Sequence, residues 1–324
     1  IDGEFLLELN SFTSARPVET FLTDSSGRFQ RNPDGTLKVG NIVTTGNASL
    51  TSRFASIIED PLAATVVSVN GTGSVLTLAA GNGSIALAGA TNSNATTGGI
   101  NAVTINALGA AAILSSGNIT LGATSANSLS VVSGNHIAQS APLKVFALSS
   151  FNATNSITLT NAENNFGPVV LVTNTGNQSV SITEAGTLNL RSVSFPGAGG
   201  TNGTFTATSV NGDIIDTGLG GVKPAGTVAS PGFGVITLAA VNGNIVLDDP
   251  TTDLPSTSGV AFNAKNVTLS VLGHPGSALV LGANNVTSTA SGNLTATSAL
   301  GNIGNAGPIT VGGLATFQTG NGNI

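Results

Sequence analysis

One sentence of this chain is written twice, and whatever the chain folds into must hold it in two equivalent places. Residues 75–87 read VLTLAAGNGSIAL and residues 235–247 read VITLAAVNGNIVL. Val75, Thr77, Leu78, Ala79, Ala80, Asn82, Gly83, Ile85 and Leu87 recur 160 positions later as Val235, Thr237, Leu238, Ala239, Ala240, Asn242, Gly243, Ile245 and Leu247. In each copy two runs of alternating apolar residues flank an Asn-Gly pair. That is the chemistry of strand, corner, strand, with the corner glycine expected at positive φ.

The copying extends further. Leu121-Gly122-Ala123 returns at the same offset as Leu281-Gly282-Ala283, and PLKVFALSSF at 142–151 returns as PITVGGLATF at 308–317, an offset of 166. A short insertion around LTATSA, before Leu300, accounts for the drift. A superrepeat of that length is too long for one solenoid coil, so it contains several. Shorter echoes mark them: Gly117-Asn118-Ile119, Gly134-Asn135-His136-Ile137, Gly243-Asn244-Ile245, Gly292-Asn293-Leu294, Gly301-Asn302-Ile303 and Gly322-Asn323-Ile324. Coils of roughly 20 residues are expected, with Val, Ile and Leu stacked inside and Asn stacked at corners, amide upon amide.

Only 7% of residues are charged although 40% are hydrophobic, so Ser, Thr, Asn and Gly must cover the surface. No window carries a sustained 3.6-residue apolar stripe, which predicts an all-β chain. The alternating Val, Ile and Leu runs oppose disorder, and glycine lacks the three-residue period of collagen. There is no Cys, hence no disulfide and no thiolate metal site. A thin net charge of −6 and the lack of Trp and Tyr argue against nucleic acid as a partner. No stretch reaches the ~20 apolar residues of a membrane-spanning helix, and the opening IDGEFLLELN is not a signal peptide. The chain reads as processed or excised from something longer.

Charge divides the chain near Pro61: residues 1–60 hold 13 of the 24 charged side chains, among them Arg16, Arg28, Arg31, Lys38 and Arg53. This atypical N-terminal segment, 1–60, is expected to cap the first coil or to join molecules. The solenoid is expected over 61–324, with superrepeat 1 at about 62–223 and superrepeat 2 at about 224–324. The second copy stops partway, after QTGNGNI, so a longer array is expected. Loops are predicted at 194–204, 217–233 and 248–259.

Runs such as GNHIAQSAPLKVFALSSFNATNSITLTNAENNFGPVVLV at 134–172, GTLNL, SVNGDI and GNIGNAGPITVGGLATFQTGNGNI at 301–324 resemble the β-strand repeats of filamentous-haemagglutinin-type exoproteins and autotransporter-like bacterial surface proteins. The resemblance covers roughly residues 62–324 and implies a right-handed parallel β-helix, secreted, acting as an adhesive or structural fibre. The opening segment, 1–60, does not resemble the secretion domain that opens the haemagglutinin family.

Polysaccharide lyases and hydrolases also use parallel β-helices, and they need clustered acids or bases. The acids after residue 61 are Glu163, Glu184, Asp213, Asp216, Asp248, Asp249 and Asp253. Asp213 with Asp216, and Asp248, Asp249 and Asp253 in a Pro-bearing loop, are the candidate constellations, each read more simply as solvated loop. His136 and His274 stand alone, and Arg191 and Lys223 have no acidic neighbour in sequence. Asn-x-Ser/Thr occurs at Asn47, Asn70, Asn82, Asn94, Asn118, Asn152, Asn177, Asn202, Asn266, Asn285 and Asn293, with chance as the plain explanation. Thr204, Thr206 and Thr208 alternate as an ice-binding face would, without an evident repeat on successive coils.

These readings assign no catalytic, cofactor or metal residue and expect a non-enzymatic extracellular protein of the cell surface. Such a chain would self-associate head to tail into a fibre and meet host or surface glycans. The rivals are a monomeric adhesin stalk and a glycan-active β-helix enzyme.

Overall fold

The computed structural model describes residues 36–324, leaving out 40–41, 45–46, 53–54, 60–66, 70–73, 88–101, 176–177, 195–202, 217–220, 224–233, 255–258, 273–277 and 285. Among the described residues every element is a strand, and the described pairs between strands are parallel. The one antiparallel contact among them is an isolated bridge between Ala283 and Val286. No helix among the described residues is long and apolar enough to cross a membrane, which says nothing of a β-barrel.

The chain divides into two compact units, 1–153 and 154–324. The division falls at Ala153/Thr154 and not between the two sequence copies near Lys223. Each unit is a parallel β-solenoid in which two sheets face one another across a common apolar interior. In the first unit, one sheet stacks Ala48–Ser52, Leu76–Ala80, Ala102–Ala107 and Ile119–Ala126, and the other stacks Leu37–Val39, Ile57–Glu59, Ile85–Leu87, Ala110–Ser115, Ser128–Ser133 and Ser149–Ala153. In the second unit, Val180–Glu184, Thr204–Ser209, Val235–Ala240 and Val260–Ala264 build one sheet; Leu188–Ser194, Ile214–Ile215, Ile245–Leu247, Val267–Val271, Leu294–Ser298 and Ala315–Thr319 build the other.

The repeated sentence therefore is not a hairpin. Leu76–Ala80 and Ile85–Leu87 lie in opposite sheets, joined by the Asn82-Gly83 corner, and each pairs with the strands of neighbouring coils. The copy at 235–247 does the same. Period-two alternation decides which residues go inside. Leu76, Leu78 and Ala80 are completely buried, while Thr77 and Ala79 between them are not.

Like then stacks on like. Leu50, Leu78 and Ile105 share one interior column, and Val180, Phe205, Ile236 and Val260 another. Large and small residues compensate between columns, since Ala207 sits beside Phe205 along the same strand. Truncating an inward Leu to Ala in such a column would cost about 2–5 kcal/mol.

Two expectations need correction. Leu37 pairs with Ile57 and Ala48 with Leu76, so the strands Leu37–Val39, Ala48–Ser52 and Ile57–Glu59, within the segment 1–60, already belong to the coils. Residues 1–35, with Arg16, Arg28 and Arg31, lie outside the described residues, as does most of the predicted loop at 217–233. Nor is the coil of one uniform length. Ala111 pairs with Leu129, a step of 18, whereas Ile214 pairs with Ile245, a step of 31. Extra residues fall between strands, and the described strand pairs keep their register while the sequence period drifts, apart from shifts at Leu121/Thr124 and Val169/Val170.

The corner glycines are not at positive φ. Among the described residues only Gly259 and Gly282 are, at 82° and 70°. Gly83 is required for a different reason: a Cβ there would overlap the backbone of Ala55 and Ser56 in the preceding coil. Gly243 presses in the same way on Gly212, and Gly134 on Ser116. Hydrogen-bonded coils lie only ~4.8 Å apart, and the corner has no space for a side chain. Gly83→Ala and Gly83→Asn should therefore destabilise alike, by about 1–3 kcal/mol or more from the forced displacement. In thermal unfolding, a left-handed corner would instead show Asn clearly better tolerated than Ala.

Candidate functional site: corner ladders and two buried carboxylates

Several described coil corners carry a residue whose side-chain oxygen accepts an N–H from the same corner of the next coil. In the second unit the column begins at Thr187, whose Oγ1 accepts from Asp213 N at 3.3 Å. Asp213 Oδ1 accepts from Asn244 N at 2.7 Å and from its Nδ2 at 3.1 Å. Asn266 Nδ2 donates to Asn244 Oδ1 at 2.8 Å; Asn266 Oδ1 accepts from Asn293 N, and Asn293 Oδ1 from Leu314 N, both at 2.9 Å. The predicted asparagine ladder is present, although its usual step is side-chain oxygen to backbone N–H and only one step of this column is amide to amide.

Serine does the same work in the first unit. Ser56 Oγ accepts from Ser84 N at 3.0 Å and Ser84 Oγ from Ala110 N at 3.2 Å. Asn47 Oδ1 accepts from Val75 N, Asn118 Oδ1 from His136 N, and, in the second unit, Asn302 Oδ1 from Asn323 N.

This grammar accounts for several Asn-x-Thr triplets. In Asn118-Ile119-Thr120, Asn266-Val267-Thr268 and Asn293-Leu294-Thr295 the asparagine is the corner acceptor, the middle residue is buried, and the threonine faces outward. The Gly-Asn-Ile echo is the same device with its close-contact glycine attached. Asn70, Asn94, Asn177, Asn202 and Asn285 lie outside the described residues.

The candidate acids separate. Asp213 belongs to the corner ladder. Asp216, further along the same coil, is 3% exposed and engages another set of donors. Its Oδ1 accepts from Asp248 N at 2.9 Å and Asp249 N at 3.3 Å, and its Oδ2 accepts a short bond from Thr252 Oγ1. Neither acid is the solvated loop residue expected of it. The structure parts Asp216 from Asp213 and joins it instead to the 248–252 turn of the other proposed constellation. Burial pushes the Asp216 carboxyl up to about 6, with the Thr252 hydroxyl and the two backbone N–H groups opposing and the charge of Asp248 adding to the rise.

Glu184 is the second buried carboxylate, 2% exposed. Its Oε2 accepts from Phe166 N at 2.8 Å and its Oε1 from Gly186 N at 3.3 Å. Beside it the fully buried Asn164 donates from Nδ2 to the carbonyls of Leu159 and Thr183. Burial raises the Glu184 carboxyl to about 7 against the opposing pull of those two N–H groups. Glu184 stands among the acids of the sequence but in neither candidate constellation, although in Val180-Ser181-Ile182-Thr183-Glu184 the alternation that buries Val180 and Ile182 also turns Glu184 inward.

His136 contributes its backbone to a corner, where its carbonyl accepts from Ile119 N and from Ser133 Oγ; His274 lies outside the described residues. Arg191 is exposed. Among the described residues no group of three His, Asp or Glu side chains is placed to hold a metal ion.

Of the row Thr204, Thr206 and Thr208, only the Thr206 column continues onto the next coil, since Thr204 meets Val235 and Thr208 meets Ala239. Thr206 pairs with Ser181 and with Thr237, and Ser181 with Thr158, so hydroxyls stand in one outward column across four coils. The steps from Thr158 to Ser181, Ser181 to Thr206 and Thr206 to Thr237 are all unequal, which hides that column from the sequence. Thr268, Thr295 and Thr316 form a second one on the opposite sheet.

Residues 108–173 and 264–324 each match the model of a family described as repeats of unknown function, DUF5649. The two matches contain the equivalent strand pairs Leu143–Val145 with Ile309–Val311 and Ser149–Ala153 with Ala315–Thr319. The chain is thus similar to a β-strand repeat, in two copies. No match was found among curated proteins or among solved structures.

Two outcomes are expected. Asn266→Ala removes one acceptor and one donor from the ladder and should cost about 1–3 kcal/mol, read as a lowered midpoint in denaturant. Glu184 has a folded-state value above its ordinary 4.5, so its contribution is complete below pH 4.5, declines as pH rises toward 7 and is level above. Glu184→Gln should flatten that decline and raise the melting temperature at pH 8, by roughly 2–4 °C per kcal/mol. An unchanged pH dependence would show that Glu184 is not its source.

Proposed function

We propose that this protein is a non-enzymatic, extracellular building block of a bacterial surface fibre, in which β-solenoid coils are the scaffold and molecules join head to tail. The observation that carries this reading is the polarity of the corner ladders. Asn47, Ser56, Ser84, Asn118, Thr187, Asp213, Asn266, Asn293 and Asn302 all accept from the coil that follows. A stack with one face presenting corner oxygens and the other corner N–H groups is complementary to another copy only in the same orientation. Such a heterologous contact does not close on itself, and repetition gives a filament.

Charge supports the same reading. Charged side chains guard many edge strands against pairing, and residues 266–324 contain no Asp, Glu, Lys or Arg; the proline guard among their described residues is Pro308, before Ile309–Val311. The outward hydroxyl columns supply an uncharged surface suited to neutral glycans, the adhesive part of the proposal.

Negative-stain microscopy and sedimentation of the purified chain test it. Filaments of uniform width that lengthen with concentration are expected, and deletion of the charged residues 1–35, which precede the first described strand, should abolish end-to-end growth. Finite particles of the intact chain at every concentration would refute head-to-tail assembly; undiminished filaments from the deletion would refute a joining role for the N-terminal segment.

A further inference from the structure

We propose that residues 248–253 form a pH-sensitive latch held by Asp216, seated while the Asp216 carboxyl is protonated and released as it ionises. The segment, Asp-Asp-Pro-Thr-Thr-Asp, follows the strand Ile245–Leu247, which is fixed on both sides by Ile214–Ile215 and Val267–Val271. Beyond it Leu254 is buried at 1% exposure. Between those anchors three groups of the turn bond to one carboxyl group. Asp248 N, Asp249 N and Thr252 Oγ1 converge on Asp216, and Thr252 Oγ1 in turn accepts from Val222 N at 3.1 Å. Asp253 N adds one bond to Val222 O at 2.9 Å.

This geometry admits two protonation states of unequal fit. Protonated on Oδ2, Asp216 keeps Oδ1 for both backbone N–H groups and reverses its bond to Thr252, whose hydroxyl oxygen then accepts. Ionised, it must keep a full charge 3% exposed, beside Asp248. The other ionisable residues on the elements packed against it are Asp249 and Asp253 of the turn, Asp213 ahead of its own strand, Lys223 at the end of Gly221–Lys223, and the exposed Arg191 of Leu188–Ser194. The charge that opposes ionisation of Asp216 is that of Asp248. Lifting the turn gives the carboxylate water and separates it from Asp248.

The sign follows from linkage. Seated, the carboxyl titrates at about 6; released, it returns toward the ordinary 3.8. Seating is therefore strongest below pH 3.8, and the opening equilibrium rises tenfold per pH unit up to about 6, roughly 100-fold in all, then levels.

Amide hydrogen exchange of the full chain between pH 4 and 7.5, corrected for intrinsic rates, tests the latch. Protection at the Asp248, Asp249 and Asp253 amides is expected to fall about 100-fold from pH 4 to pH 6 and to stay level above, while Ile245–Leu247 keeps its protection. Asp216→Asn reproduces the hydrogen bonds of the protonated acid, so its turn should stay protected at the wild-type pH 4 level throughout. The proposal is overturned by wild-type protection that does not change with pH, by parallel loss in Ile245–Leu247, which would mark global unfolding, or by a variant that keeps the wild-type pH dependence. If the variant does not fold, the wild-type series decides alone.

Discussion

A side-chain oxygen accepting an N–H from the corner of the next coil is the contact on which this architecture depends. Interior columns tolerate exchange: Leu50, Leu78 and Ile105 occupy one column, and Ile182, Ala207, Leu238 and Phe262 another. Apolar contact alone would accept a strand slipped by two residues, because the slipped residue is also apolar. A corner acceptor does not, since the N–H it needs sits at one position. Burial drives the coils together, and the ladders choose the register in which they meet.

The same requirement explains where the chain departs from its own pattern. Glu184 and Asp216 are oxygen acceptors like the corner asparagines, but their carboxyls are buried, with values raised to about 7 and about 6. Glu184 also reverses the usual direction, taking its N–H from Phe166 of the preceding coil. Asp216 gathers two backbone N–H groups and the Thr252 hydroxyl of an irregular turn on one carboxyl group. Where the coil is irregular, a buried carboxyl takes the place of a corner amide, and burial disfavours its charged form.

The fold was legible wherever the determining interaction is local. Alternation in residues 75–87 and their copy marked the inward Leu76, Leu78 and Ala80, and the Gly-Asn-Ile echo marked the corners. Which coil rests on which was not legible. Ile214 finds its partner at Ile245 and Ala111 finds its own at Leu129, and a fixed period cannot follow both. That is why the sequence shows only one row of the column from Thr158 to Thr237, and why Asp216 stands beside Asp213 in sequence when its partner Thr252 lies far ahead in the chain. Gly83 shows a different limit: Asn-Gly speaks equally for a left-handed turn and for a backbone pressed against its neighbour, and only stacking distinguishes them.

Because the corner oxygens point from each coil toward its successor, a coil that has already formed offers acceptors to the stretch of chain made after it. A ribosome delivers that chain in the same order. Every completed turn can then serve as the mould for the next while the rest of the polypeptide is still unmade, and the molecule can be assembled by accretion, without waiting for distant segments to find one another.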